Sequence, residues 1–108
     1  MLISNAQQDG SAAFAKGMTA FRSRSLTEAV GSFETAAAAE PNNAIYQYHL
    51  ALALYDLNGA EVASDALQRA VALEQREPIE NWGKRMERIQ GRSRAWIEAA
   101  RREAGLVR

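Results

Sequence analysis

Residues 17–41 read GMTAFRSRSLTEAVGSFETAAAAEP, and residues 51–75 read ALALYDLNGAEVASDALQRAVALEQ. Gly17 and Ala51, Ala29 and Ala63, Phe33 and Leu67, and Ala36 and Ala70 each stand 34 residues apart. The flanks keep the spacing: Phe21 returns as Tyr55, Phe14 as Tyr48 and Glu40 as Glu74. A fixed period of this size marks a repeated supersecondary unit. One such unit cannot bury its apolar side alone, so copies must stack on one another.

The local signals place two helices in each unit. Phe14, Met18 and Phe21 recur at i, i+4, i+7, with Ala13, Gly17 and Ala20 beside them, which predicts a helix over about 11–23. Ser25-Leu26-Thr27-Glu28 fits a capping box opening a second helix, about 26–40. Pro41-Asn42-Asn43 ends it and caps the next. Residues 44–57 repeat the first design with Tyr48, Leu52 and Tyr55 on one stripe. Asn58-Gly59 makes the turn, and residues 60–74 present Ala63, Leu67, Ala70 and Val71.

The remainder departs from the pattern. Pro78 suits the first turn of a helix, and Ile79, Trp82, Met86 and Ile89 predict that helix as far as Gln90. Gly91 breaks it, Ser93 is a candidate N-cap, and a last helix runs to about Ala104 with Trp96, Ala99 and Ala100 inward. At a strict 34-residue period the small-residue slots fall on Lys84, Arg85 and Arg88, so this pair is shifted in register or serves as a cap. The expected organisation is a loose lead-in at 1–9, repeat units at 10–43 and 44–77, and a divergent capping hairpin at 78–108.

With 108 residues and 47% hydrophobic side chains, the chain is sized for one domain with a modest core. The absence of Cys excludes disulfides and thiolate chemistry. Its first residues show no basic and apolar signal segment, and no run approaches a membrane span, so a cytoplasmic protein without membrane insertion is expected. Formal charge is zero, yet residues 1–75 carry four basic and eight acidic side chains, and residues 76–108 carry nine and five.

Gly17…Phe21…Leu26…Ala29…Phe33…Ala36…Pro41 and Leu50-Ala51…Tyr55…Ala63…Leu67…Ala70 resemble the tetratricopeptide repeat family across about residues 10–75. The resemblance implies an all-α, right-handed α-solenoid of three helical hairpins, two repeats and the divergent cap. It also implies a protein-interaction scaffold whose first helices line a concave groove. Carried over, that groove shows Phe14, Met18, Phe21, Tyr48, Leu52, Tyr55, Trp82 and Met86, with Ile89 beside them. Positions that hold a peptide carboxylate in some family members fall on Phe14, Met18, His49, Ile79 and Gly83. Four of these side chains form no hydrogen bond to a carboxylate, so the implied ligand is an apolar helix or an aromatic-bearing peptide.

Two readings of the stripe stand side by side, since apolar residues at helical spacing also build cores. The basic residues Lys84, Arg85, Arg88, Arg92, Arg101 and Arg102 read as a solvated face or as a patch for an acidic partner, with nucleic acid ranked last. Glu80–Lys84 and Glu98–Arg102 are placed for i,i+4 pairing. His49, the single histidine, has no clustered ligands or nucleophile in sequence. No catalytic constellation, metal set or cofactor motif is visible. The expected function is therefore binding of another protein as an adaptor, assembly factor or small chaperone. Self-association, including a homodimer, is the alternative.

Overall fold

The computed structural model describes residues 9–107; residues 1–8 of the lead-in expected at 1–9, and Arg108, lie outside the described residues. Among the described residues all regular structure is helical: α1 (Ser11–Arg22), α2 (Leu26–Ala39), α3 (Ala44–Asn58), α4 (Ala60–Arg76), a single turn α5 (Trp82–Arg85) and α6 (Arg92–Glu103). Each of the first three helices packs against the next in sequence, and α6 returns to pack on α3 and α4.

Helix α3 is the centre of the molecule. Every residue from Ala44 to Ala53 is buried, the pattern of a helix enclosed on all sides. Its start is set by Asn43, whose Oδ1 accepts the Tyr46 N–H at 3.1 Å. Its end is set by Gly59, at φ 94, whose N–H donates to the Tyr55 carbonyl at 2.8 Å. The capping box expected at Ser25 does not form: the Ser25 side chain makes no cap bond. That turn is closed by backbone instead, with Arg24 at φ 62 and the Ser25 N–H donating to the Ala20 carbonyl at 2.8 Å.

The small residues of the 34-residue pattern sit where helices meet most closely. Ala29, Ala36, Ala51, Ala63 and Ala70 have no exposed surface. A Cβ placed on Gly17 would lie 2.5 Å from the Phe33 ring. That ring is itself fully buried and packed by Phe14, Phe21 and His49, so it has nowhere to go.

The helix expected over 78–90 is not formed. Only residues 82–85 are helical; Asn81 ahead of them is left-handed (φ 59), and Gly91 (φ 97) ends the segment. Between them the chain turns through short bonds, Ile89 N–H to the Met86 carbonyl at 2.9 Å among them. The physical reason is an arginine. Arg94 Nη1 donates to the Met86 carbonyl at 2.6 Å and to the Ile89 carbonyl at 2.9 Å, satisfying both in the turned conformation and so holding the segment out of a continuous helix. Helix α6 also begins earlier than expected: Gly91 is its N-cap, and Ser93 lies buried in the first turn.

Two glycine substitutions separate packing from propensity. Gly17→Ala should destabilise by about 1–3 kcal/mol, because overpacking against Phe33 outweighs alanine's helix preference. Gly31→Ala, in mid-helix with nothing within 4 Å of the added Cβ, should stabilise by up to about 1 kcal/mol. Urea unfolding of both variants checks the pair; stabilisation by Gly17→Ala would remove the close contact from the account.

Candidate functional site

The residues expected to line a groove divide by burial. Phe21, Tyr48, Leu52 and Met86 are buried and belong to one core cluster, which Ile89 and Ile97 also join. Tyr48, Leu52 and Met86 have no exposed surface, where an open groove was expected, and Phe21 keeps 7%, at the wall of a cavity. The cause is the segment after α4, which brings Met86 and Ile89 onto the stripe. Phe14, Met18, Tyr55 and Trp82 are half-buried. Tyr55 packs on Trp96 with ring centroids 4.7 Å apart, and Tyr48 meets Trp82 edge-on at 4.9 Å.

The basic set divides as well. Lys84, Arg85, Arg88, Arg92 and Arg102 are exposed. Arg101 is not: only 6% of its surface is exposed, and it pairs with Glu74 through Nη2–Oε2 at 2.6 Å and Nε–Oε1 at 2.9 Å. Tyr48 OH donates to the same Glu74 Oε1 at 2.6 Å, and the Arg101 guanidinium lies 3.9 Å from the Trp82 ring centroid. Burial and the Glu74 carboxylate both push the Tyr48 hydroxyl pKa well above the ordinary range. For Arg101, burial works against its charge, but the bonds and attraction of Glu74 and Glu98 outweigh it and raise its pKa.

Glu98 completes this polar group. It accepts from Trp82 Nε1 at 2.6 Å, Arg94 Nε at 2.7 Å and Arg101 Nη1 at 3.2 Å. Burial raises its pKa, while Arg94, Trp82 and Arg101 together pull it down further, and the net shift is downward. Neither expected i,i+4 pair, Glu80–Lys84 or Glu98–Arg102, is among the ion pairs of the described residues. Glu98 turns instead towards Arg94 and Arg101.

What remains open lies along α1. A cavity of about 340 Å³ is bounded by Phe14, Met18, Ile45, Tyr46, His49 and Arg85. A second, of about 370 Å³, is bounded by Met18, Phe21, Arg22, Arg88, Ile89 and Ser93, with Arg24 and Asp56 paired at its edge at 3.1 Å. Met18 belongs to both. Each therefore has an apolar side contributed by α1 and an arginine from residues 85–88 opposite. A further cavity, about 560 Å³, lies elsewhere, between the connectors at 40–45 and 77–81.

Residues that sequence reasoning did not group are Arg22, Arg24 and Ser93 at the second cavity and Glu74 beneath Arg101. One signal for Glu74 was present: it stands 34 residues after Glu40, and both carboxylates anchor a distant element. Glu40 Oε2 accepts the Gly10 N–H at 2.7 Å, as Glu74 accepts from Arg101. Compared with known proteins, the chain matches no family, no curated protein and no solved structure. Among the described residues no helix is long and apolar enough to cross a membrane.

His49 gives the site a pH dependence. Its Nδ1 donates to the Ile45 carbonyl at 2.9 Å, and Phe14 covers it edge-on at 4.8 Å. Burial lowers its pKa to about 4; the Ile45 bond opposes the shift and Arg85 adds to it. The unfolded chain takes up this proton near pH 6.5 and the folded one only near 4. Its contribution is therefore intact above pH 6.5 and declines as pH falls to 4, by up to about 1.4 kcal/mol per unit. Urea unfolding across that window should show a steeper fall for the native chain than for His49→Leu; parallel curves would remove His49 as the cause.

Proposed function

We propose that the chain is a protein-interaction module, built as a right-handed stack of helical hairpins on the tetratricopeptide plan. In this reading the units at 10–43 and 44–77 are repeats, and 78–108 is the cap. Its task is that of an adaptor, assembly factor or small chaperone, without catalysis, and its partner is an apolar protein segment. The observation that carries the reading is the pair of cavities sharing Met18, one on each side of that residue along α1. Phe14, Met18 and Phe21 line this face, and Phe14 and Met18 keep part of their surface exposed. An apolar strip bordered by charge is the usual form of an interface centre and its rim.

Met18→Glu tests the reading, with Lys16→Glu, exposed on the same helix, as control. Both variants should keep the native helical circular dichroism. A defined partner recovered with the native chain and with Lys16→Glu should be lost with Met18→Glu, by tenfold or more in affinity, as expected for a central anchor. Retention by Met18→Glu would place the interface elsewhere. Sedimentation showing a dimer that Met18→Glu dissolves would assign the same face to self-association instead.

A further inference from the structure

We propose that the cavity between Arg22, Arg88 and the first turn of α6 is a subsite for a carboxylate side chain, an Asp or Glu carried by the partner segment. The inference rests on the reading of this face as a protein interface and adds the charge that the partner must bring.

Three independent features converge there. The first is uncompensated positive charge. Arg22, Arg24 and Arg88 border the cavity; Arg24 is engaged by Asp56, while Arg22 and Arg88 form no ion pair among the described residues. The second is the start of α6, a twelve-residue helix with no acidic side chain in its first turn and no side-chain cap. The N–H groups of Arg92, Ser93 and Arg94 have no acceptor among the described residues, and the first bond of the helix is Ala95 N–H to the Gly91 carbonyl. Free N–H groups at a helix start favour an anion. The third is Ser93 itself. It is 4% exposed, it borders the cavity, and its hydroxyl has no hydrogen-bond partner among the described residues. The hydroxyl is thus a free donor at the cavity wall, and a carboxylate oxygen would accept from it.

The same surroundings choose between kinds of anion. Met18, Phe21 and Ile89 make the apolar side of the cavity, and the Asp56 carboxylate stands at its edge. Two free guanidinium groups match one carboxylate set among apolar side chains. A nucleic acid would find no open aromatic face here on which to stack bases, since Phe21 is only 7% exposed. An acidic, amphipathic protein segment is the ligand that fits.

The probe is a fluorescently labelled amphipathic helical peptide of Leu, Ala and Glu, compared with the same peptide carrying Gln for every Glu. The native chain should bind the Glu peptide at least tenfold more tightly, with affinity falling as salt rises. Arg88→Gln and Arg22→Gln should each remove most of that preference, and Ser93→Ala part of it. Lys16→Gln, remote from the cavity, should leave it unchanged. Equal binding of the two peptides, lost in both on Met18→Glu, would overturn the carboxylate subsite while leaving the apolar interface standing. Failure of both peptides to bind would overturn both readings. Tighter binding of a single-stranded oligonucleotide than of the Glu peptide, weakened by Arg88→Gln, would assign the site to nucleic acid and overturn this proposal.

Discussion

The arrangement depends on one buried ion pair, Arg101 with Glu74. Two charges with 7% and 4% of their side chains exposed are expensive to remove from water. The cost is offset only when the remaining polar atoms are satisfied, and here they are. Glu74 takes two bonds from Arg101 and one from Tyr48, while Arg101 reaches Glu98 and lies on the Trp82 face. This group ties α6 to α4 and to the central α3. Hydrophobic contact alone would hold α6 down; the bidentate pair selects one position for it.

From that position the rest follows. With α6 fixed, Arg94 on its first turn collects the Met86 and Ile89 carbonyls and bends the preceding segment over the stripe. Tyr48 and Leu52 become core, and only the α1 side of the stripe stays partly open. The same bend carries Arg85 and Arg88 to that opening. An excess of positive charge that is merely compositional in sequence thus becomes a local feature beside apolar surface. Charge placed at an interface edge governs partner choice and encounter rate more than affinity.

The helices from Ser11 to Arg76 were legible because each reports itself locally. Period, small residues and turn signals such as Asn43 and Gly59 depend on neighbours within a few positions. Residues 77–91 were not legible, because Trp82, Met86 and Ile89 have helical spacing, while the decisive competitor, Arg94, acts on the backbone from the next element. Arg101 was misplaced for a related reason: its partner Glu74 is 27 residues away, and no local pattern joins them. The stripe itself was correctly seen as apolar, but whether such a stripe faces solvent or a neighbour is decided by what folds over it.

A double-mutant cycle on the ion pair tests this account most directly. In a Tyr48→Phe background, so that no hydroxyl is stranded, Glu74→Leu and Arg101→Leu are compared singly and together by urea unfolding. Arg101→Leu leaves the Glu74 carboxylate buried alone and should cost about 3–5 kcal/mol; Glu74→Leu leaves Arg101 with Glu98 only and should cost over about 1 kcal/mol, whereas the double change should cost less than Arg101→Leu. Single costs below about 1 kcal/mol, or a double cost equal to their sum, would show that the pair does not hold α6 in place.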